Sequence, residues 1–406
     1  MTKLPIKKKK FEKVSISSIK QALGMTEEDT CASKPASFIG MPKAFRSATH
    51  LPGIPKGEVT IVRGWSNTGK STLLNCLIAS CQKQGILPII YDSESNFKFD
   101  YAQACGVEAI PIYKEIDVDD VDLETGEITG SHKKKIVADI DGDFIYFDSV
   151  ILAHLYGKMD YSTGKEGTVG RTTAVLEDIA YSINILLDMQ EAGQIQQDMC
   201  FIWDSIGSIG SYKSLKSKTG NNMFDAGALQ AAFQTIIGMR IPLSKRITSE
   251  YTNTMFCVNK IWLDNTSSIG IPSVQLKGGN GFFYATRLIL HVGGALKASI
   301  KHLTATAKGQ TYDWATQTKI KVVKNQLSAP YNIVYEGTFV CVPNGIIGVD
   351  EIDEYKKKNI PIIIKELEKR AKEDNQKAIE DNKNAIENVE INANDVSFGE
   401  NEVEEE

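Results

Sequence analysis

The sequence predicts an α/β fold in which a mostly parallel central sheet is flanked by helices. Short apolar runs alternate with helix-like segments through the middle of the chain, as in parallel strands joined by crossover helices. Several runs contain four consecutive apolar residues, which is typical of strands buried on both faces. A glycine-containing loop joins the first of these strands directly to a helix.

The first 45 residues are predicted to be a polar leader with one short amphipathic helix. Ile16, Ile19 and Leu23 fall on one face of that helix, and Gly24 follows as a stop. A helix this short is not stable alone, so it needs a partner surface on its own chain or on a neighbour. We therefore interpret residues 1–45 as an N-terminal oligomerisation leader.

Residues 46–345 are predicted to form the core, in which strands and helices alternate. Four apolar runs predict buried strands at residues 59–62, 88–91, 200–203 and 255–258. Helical patterns predict helices at residues 71–83 and 226–239. Further strands are expected around residues 287–292, 319–323 and 332–339.

Residues 113–170 interrupt this alternation and are predicted to be a β-rich insertion. The turn dipeptide Asp141-Gly142 lies between two strand-like runs, at residues 135–138 and 144–147. Such a dipeptide between apolar runs is typical of a β-hairpin, so we expect these two runs to pair with each other.

The C-terminal region is predicted to contain one helix and then an acidic disordered tail. The helix is expected to start near Pro361, because proline is favoured in the first helical turn, and residues 346–373 are interpreted as a small helical extension. Beyond residue 374 the Asn- and Glu-rich sequence loses its apolar face. Residues 387–406 carry eight acidic side chains and no Lys or Arg; subtracting these charges from the net −5 leaves about +3 for the rest.

The composition excludes several other classes of protein. Of the 406 residues 42% are hydrophobic and 24% are charged, as in ordinary globular proteins. No apolar stretch approaches the roughly 18 residues of a membrane helix, and no apolar segment follows the basic start, so neither a membrane span nor a secretory signal is expected. Seven scattered cysteines without CxxC or HExxH patterns predict reduced thiols in a cytoplasm and argue against structural zinc.

A phosphate-binding loop is predicted immediately after the first core strand. The sequence matches G-x-x-x-x-G-K-[ST] (Walker A) at every specified position. In such a loop the backbone amides converge on the phosphates, the lysine reaches the β- and γ-phosphates, and the hydroxyl binds Mg²⁺. The motif predicts ATP and Mg²⁺ as cofactors, held by Gly64, Trp65, Ser66, Asn67, Thr68, Gly69, Lys70, Ser71 and Thr72.

Two carboxylates are expected beside this loop, because they follow strand ends, where ligands bind in open α/β sheets. Asp204 is suited to orienting Mg²⁺ together with Ser71, and Glu94 to acting as the base towards an attacking water. Taken alone, a strand-end carboxylate is more often a helix cap or a turn residue. The phosphate-binding loop nearby favours the catalytic interpretation.

The sequence resembles the RecA recombinases, and among them the phage UvsX branch. The resemblance covers roughly residues 45–355 and is interrupted at residues 113–170 and 295–318. Five motifs in the family's order carry it: Glu94 with Tyr101, Trp203-Asp204-Ser205, Phe256-Cys257-Val258-Asn259-Lys260, Gly278-Gly279-Asn280 before Tyr284-Ala285-Thr286-Arg287-Leu288, and Lys321-Val322-Val323-Lys324-Asn325 before Ala329-Pro330.

This resemblance implies a RecA-type ATPase core with Walker A and Walker B sites, and it assigns roles to individual residues. By it, Glu94 is similar to the catalytic glutamate and Tyr101 to the tyrosine that stacks on adenine. Asn259 and Lys260 lie on the strand that resembles the one presenting the γ-phosphate sensor. Lys324 is similar to a lysine that acts on the neighbouring protomer's ATP.

Two positions depart from the family's pattern. The sensor is usually Gln or, in the UvsX branch, His, whereas this chain has Lys260. The second of two basic residues that act across the interface is replaced by Gln326. A lysine is a point charge with donors only, so we hypothesise that Lys260 supplies the missing charge at the γ-phosphate.

Two stretches are predicted to contact DNA. The first alternates Lys with small polar residues, and such lysines neutralise phosphates regardless of base sequence. The second is Ser-, Thr- and Gly-rich with apolar side chains, and the resemblance implies that these lie between bases. The candidate residues are Lys213, Lys216 and Lys218 in the first stretch and Ile269, Ile271 and Lys277 in the second. Without the resemblance, each stretch is as well interpreted as an ordinary connection.

Together these features predict an ATP-dependent DNA strand-exchange recombinase. It would form helical filaments on single-stranded DNA and pair that DNA with homologous duplex. One alternative is a ring-forming replicative helicase of the same fold, which normally needs an N-terminal helical domain larger than residues 1–45. Another is a mediator that binds ATP without hydrolysing it, an interpretation favoured by Lys260 and Gln326.

The expected partners are single- and double-stranded DNA, further copies of the chain in a filament, and single-strand-binding and loader proteins. The expected location is a cytoplasm, that of the host if the protein is viral. The acidic tail has two interpretations: composition alone favours a solvating segment, and the alternative is a decoy that competes with DNA for the basic loops.

Overall fold

The computed structural model describes residues 15–26, 29, 31–121, 128–168, 170–216, 222–264, 273–276, 279–294, 297–382 and 390–402. Within these ranges no helix combines the length and the apolar character needed to cross a bilayer.

The helices confirm the predicted ones and add several short ones. They are α1 (Ile16–Ala22), α2 (Lys43–Thr49), α3 (Lys70–Lys83), α4 (Phe99–Ala104), α5 (Ser149–Tyr156), α6 (Leu176–Glu191), α7 (Tyr212–Lys216), α8 (Asn222–Thr235), α9 (Ile241–Leu243), α10 (Gly279–Ala285), α11 (Ile352–Lys358) and α12 (Ile360–Asn382). A π-helical turn, Ile236–Arg240, links α8 to α9.

The strands are β1 (Phe38–Gly40), β2 (Gly53–Pro55), β3 (Val59–Gly64), β4 (Leu87–Asp92), β5 (Ile110–Val121), β6 (Ile128–Asp141), β7 (Ile145–Asp148), β8 (Met159–Asp160), β9 (Lys165–Glu166), β10 (Met199–Ile206), β11 (Thr254–Asp264), β12 (Ser273–Leu276), β13 (Leu288–Val292), β14 (Lys301–Ala307), β15 (Gln310–Asn325), β16 (Glu336–Val342), β17 (Gly345–Ile347) and β18 (Val396–Glu402).

The main sheet is mixed, with a parallel centre and an antiparallel C-terminal side. Its order is β17-β16-β15-β13-β3-β11-β10-β4-β7. The neighbouring strands β13, β3, β11, β10, β4 and β7 are parallel to one another. β15, β16 and β17 add to it antiparallel, because they follow one another without a crossover helix between them. The prediction of a mostly parallel sheet therefore holds for the centre alone.

Helices cover both faces of the parallel centre. On one face Leu77 of α3 packs in the same core as Ile202 of β10. On the other, Ile183 of α6 and Phe233 of α8 pack in a second core with Phe201 of the same strand. Neighbouring residues of β10 thus enter opposite cores, as the continuous apolar run predicts.

The predicted hairpin around Asp141-Gly142 is wrong in its pairing. The second run, β7, joins the central sheet parallel to β4, with Ile89 opposite Ile145, while β6 pairs with the preceding β5. Phe147 is buried in this arrangement. Pairing with β4 therefore stabilises β7 more than pairing in a solvated hairpin would. Gly142 makes the sharp exit from β6 possible, since a Cβ there would overlap the carbonyl oxygen of Glu108.

The expected disorder from residue 374 does not hold for the part of the tail that the structure describes. α12 continues to Asn382, and β18 pairs antiparallel with β14. Phe398 of β18 contacts Trp314 edge-to-face at 6.1 Å between ring centroids, and Ile391 is buried in the same core. These isolated apolar residues, too few for a periodic pattern, hold the tail against β14 and β15.

The leader helix α1 forms as predicted but buries none of its residues. Ile16 is 72% exposed and Leu23 is 71% exposed. The apolar face is therefore left without cover by the described part of this chain, and the role of residues 1–45 in oligomerisation stays a prediction.

We expect Ile363→Ala to lower the free energy of unfolding by about 2–4 kcal/mol, because this side chain of α12 is fully buried in a core with residues of β14, β15 and β16. Ile360→Ala on the same helix, where the side chain is 36% exposed, is the control and should cost less than about 1 kcal/mol. Urea unfolding measures both. Equal losses would contradict the docking of α12.

Candidate functional site

The loop between β3 and α3 is held in place by two glycines. Gly69 has a φ of +94°, in the left-handed region, and a Cβ there would collide with the Cys341 thiol of β16. A Cβ on Gly64 would overlap the carbonyl oxygen of Val292 in β13. The loop therefore lies directly against backbone and side chains of the sheet, with its amides at the N-terminus of the 14-residue helix α3.

Lys70, the first residue of α3, is the buried cation of the loop. Its ammonium donates a hydrogen bond to the carbonyl oxygen of Trp65. Burial lowers the pKa of Lys70 to about 8; Asp204 and Glu94 counteract this effect and Lys260 adds to it. An arriving phosphate would favour the charged form of Lys70.

Asp204 near the end of β10 lies level with Asp92 at the end of β4. Burial raises the pKa of Asp204 to about 6, and the negative charges of Glu94 and Asp92 act in the same direction. Asp92 accepts hydrogen bonds from the Phe97 amide at 2.8 Å and the Tyr146 hydroxyl at 3.0 Å, so it is occupied in holding the loop after β4. A cation bound at this edge would therefore stabilise the ionised form of Asp204, which burial and the neighbouring carboxylates disfavour.

Glu94 and Lys260 form an ion pair at the same edge of the sheet. Lys260 Nζ lies 2.7 Å from Glu94 Oε2, and the Ser205 hydroxyl donates to Oε1. Burial works to raise the pKa of Glu94, but the hydrogen bonds from Lys260 and Ser205 outweigh it and leave this pKa below its usual range. In the strand register Lys260 lies opposite Gly64.

A cavity of about 500 Å³ extends from the loop towards the C-terminal part of the chain. Asn67, Ser71 and Thr72 line one side, and Tyr101 lines it with its hydroxyl 2.8 Å from Thr72 Oγ1. Burial raises the pKa of the Tyr101 hydroxyl, so Tyr101 remains neutral. The predicted adenine-stacking residue therefore lies beside the phosphate-binding loop.

The far side of this cavity comes from residues that the sequence interpretation missed. His302 and Asp313 of the β14–β15 hairpin pair at 2.5 Å, and Lys369 and Arg370 of α12 also line the cavity. They lie more than 200 positions from the loop in sequence and form no motif, so only the fold brings them to it.

Other predicted residues lie elsewhere. Asn259 is buried in β11 opposite Arg63 of β3. Lys324 does not line the cavity: its ammonium donates to the Phe283 carbonyl at 2.7 Å and the Tyr284 carbonyl at 3.3 Å, at the end of α10. Burial, and secondly the charge of Arg287, lowers the pKa of Lys324.

Of the predicted DNA-contacting residues, Lys213 and Lys216 lie on α7 and are exposed. Lys216 Nζ is 4.3 Å from the centroid of the Tyr212 ring and 3.7 Å from a carboxylate oxygen of Asp160. The remaining four, Lys218, Ile269, Ile271 and Lys277, lie outside the described residues.

The loop, the helix after it and the carboxylates at the strand ends have the arrangement of a P-loop protein. Residues 5–168 match the family model for the RecA N-terminal domain. RecA of Oleidesulfovibrio alaskensis is 38% identical over 74 residues, covering 18% of this chain and 20% of that protein. RecA of Aquifex aeolicus is 38% identical over 66 residues, covering 16% and 19%.

A longer match is found at lower identity. RecA of Rubrobacter xylanophilus is 22% identical over 242 residues, covering 54% of this chain and 70% of that protein. The chain thus spans about a fifth of the length of the first two relatives and 70% of the length of the third. It is similar to RecA proteins, and its mixed sheet with flanking helices is consistent with the RecA-family α/β fold.

Asp204→Asn is expected to raise the free energy of unfolding above pH 6, by roughly 1–2 kcal/mol, because folding raises the pKa of this carboxyl from 3.8 to about 6. The charged form is the destabilising one, so the gain should be fully present above pH 6 and vanish towards pH 4. Urea unfolding at pH 4.5 and 8 measures it. Asp100→Asn, at an exposed position, is the control; the same gain there would refute the explanation.

Proposed function

We propose that this chain is an ATP-dependent DNA strand-exchange recombinase of the phage UvsX type, acting in a cytoplasm. The observation that carries the proposal is the juxtaposition of Lys70, Asp204, Glu94 and Lys260 at one edge of the sheet beside the P-loop. The similarity to RecA proteins supports the choice of recombination and DNA as the process and the partner.

The residues of the P-loop fit a magnesium-bound triphosphate. Lys70 is a buried cation, and the amides at the start of α3 are donors for phosphate oxygens. Ser71 and Asp204 would hold the Mg²⁺, which neutralises charge on the phosphates. Because a cation stabilises the ionised form of Asp204, metal binding would lower the raised pKa of that carboxyl.

Glu94 would orient the attacking water and accept its proton, and its ionised state at neutral pH suits that role. The Glu94 oxygens are now occupied by Lys260 and Ser205. Lys260 would turn from Glu94 to the γ-phosphate, where its charge replaces the family's neutral sensor. Tyr101 would contact the adenine from beside Thr72.

The DNA partner and the filament follow from the same similarity. Lys213 and Lys216 would contact phosphates, which predicts binding that weakens steeply with salt. Lys324 would leave its carbonyl partners at the end of α10 and reach the ATP of a neighbouring protomer. Hydrolysis would then release the filament from DNA, with single-strand-binding and loader proteins as further partners.

A second candidate function is an ATP-binding mediator that does not hydrolyse ATP. The ion pair between Glu94 and Lys260 favours it, because a base held by an ammonium is less available to a water molecule. Phosphate release stimulated by single-stranded DNA separates the two candidates, since only the recombinase would show it.

The decisive experiment is strand exchange between circular single-stranded DNA and homologous linear duplex in the presence of ATP and Mg²⁺. The recombinase should yield nicked circles with homologous DNA and none with heterologous DNA. Electron microscopy of the same mixture should show helical filaments, and hexameric rings would favour the helicase.

We expect Lys70→Ala to weaken ATP binding about 100-fold while the circular dichroism spectrum stays unchanged, because the charged hydrogen bonds to phosphate are lost. Lys83→Ala, an exposed lysine in the last turn of the same helix, is the control and should bind ATP as the unmodified protein does. Equilibrium binding of ATP with Mg²⁺ measures both. Retained binding in the Lys70 variant would exclude the P-loop role.

Lys260→Ala should lower the DNA-stimulated hydrolysis rate about 100-fold through loss of charge at the γ-phosphate. It should also move the acidic limb of the pH–rate profile to higher pH, because the hydrogen bond and charge of Lys260 would no longer oppose burial, which raises the pKa of Glu94, and the hydrogen bond from Ser205 would remain to lower it. Lys260→Gln tests the family's usual residue and should recover part of the rate. A near-normal rate in Lys260→Ala would dismiss the assigned role.

A further inference from the structure

An aromatic cavity of about 660 Å³ is lined by residues of α6, α7, α8 and the β8–β9 connection. Three tyrosines line it: Tyr161 from the β8–β9 hairpin, Tyr181 from α6 and Tyr212 from α7. The facing wall is formed by small alanine side chains of α8. We refer to this cavity, defined by its three tyrosines, as the tyrosine groove.

The rings of the tyrosine groove contact one another edge-to-face. Tyr161 meets Tyr212 at 5.7 Å and Tyr181 at 6.2 Å between centroids. The Tyr161 hydroxyl donates to Asp178 at 2.7 Å, which fixes this ring against the buried pair of Asp178 and Arg171. Tyr181 is 37% exposed at the groove. The Arg171 guanidinium lies over the Tyr161 and Tyr212 rings, 5.6 and 5.4 Å from their centroids, so the exposed Tyr181 is the ring of the groove on which a planar group would gain stacking energy.

Two lysine side chains supply positive charge to the groove. Lys213 and Lys216 both line it, from α7. Two carboxylates are also near: Asp160 pairs with Lys216 at 3.7 Å, and Glu177 accepts a hydrogen bond from the Tyr212 amide at 2.9 Å. The pair of Lys216 and Asp160 is exposed and therefore weak, so a phosphate can compete for Lys216.

These features together match the chemistry of a nucleotide in single-stranded nucleic acid. Base-binding platforms combine aromatic faces with cations that follow the backbone. Glu177 also lines the groove, and its carboxylate is an acceptor for the amino group of a base. Lys213 and Lys216, which line the groove, also belong to one of the two stretches proposed to contact DNA.

A second copy of this chain is the main competing occupant, and its most exposed apolar helix, among the described residues, is α1. The charges argue against α1. Its last turn contains Lys20 and its first turn has no acidic residue. Docked here, it would bring a third ammonium beside Lys213 and Lys216, where Asp160 already pairs with Lys216 and Glu177 already accepts a hydrogen bond from the Tyr212 amide.

We therefore propose that the tyrosine groove binds one unstacked base of single-stranded DNA, with Lys213 and Lys216 contacting the phosphates on either side of it. The inference rests on the proposed DNA-binding function and adds to it a base-binding cavity whose aromatic residues lie outside the two stretches proposed to contact DNA. An unstacked base held in this way would be available for pairing with an incoming strand only after leaving the groove.

The test compares Tyr181→Ala with Tyr335→Ala in the full-length protein. Tyr335 is also 37% exposed but stacks on His50, on another part of the molecule. Three probes are used: a single-stranded oligonucleotide with all its bases, the same oligonucleotide with abasic sites, and one carrying 2-aminopurine. Quenching of the 2-aminopurine fluorescence reports stacking. Tyr181→Phe keeps the ring and should behave as the unmodified protein does.

The unmodified protein and Tyr335→Ala should prefer the intact oligonucleotide about tenfold and quench 2-aminopurine. Tyr181→Ala should lose both effects yet keep the salt dependence, because the lysines remain. If the preference persists in Tyr181→Ala, or if that variant changes self-association instead of DNA binding, the inference is overturned while the proposed function stands. If the unmodified protein binds neither oligonucleotide, the proposed function itself fails.

Discussion

The register of the parallel strands is the constraint on which the candidate site depends. β3 and β11 place Gly64 level with Lys260, and β10 and β4 place Asp204 level with Asp92. Side chains alternate between the two faces of a strand, so a slip of one residue would move each functional group to the wrong face. Close packing of helices on both faces holds this register, which links the burial of the core to the geometry at the sheet's edge.

The features that could be predicted from the sequence are those that depend on residues close together in the chain. The apolar runs, the P-loop and α3 follow from local patterns, and the structure forms each of them. The partner of a strand is not local: residues 144–147 suit a hairpin or a sheet edge equally, and burial of Phe147 decided for the sheet. The cavity wall at Lys369 and Arg370 was missed because its position depends on how α12 docks.

The charged cluster beside the P-loop opposes the stability of the fold. Glu94 and Asp204 repel each other, and burial penalises both the Asp204 carboxylate and the Lys70 ammonium. Lys260 relieves part of this cost by pairing with Glu94. Lys260, one of the two positions that depart from the RecA pattern, therefore offsets part of the repulsion between the two neighbouring acids, as Lys70 also does. We expect replacement of Lys260 to affect the stability of the fold as well as the proposed chemistry.

The strand β18 has a consequence for how the protein is handled. β14 pairs with β15 on one side and with β18 on the other. Trimming the acidic C-terminus to aid crystallisation would uncover a row of amide and carbonyl groups along seven residues of β14. Unprotected rows of this kind recruit strands from other molecules. We therefore expect a truncated preparation to self-associate through β14, although the removed segment is acidic.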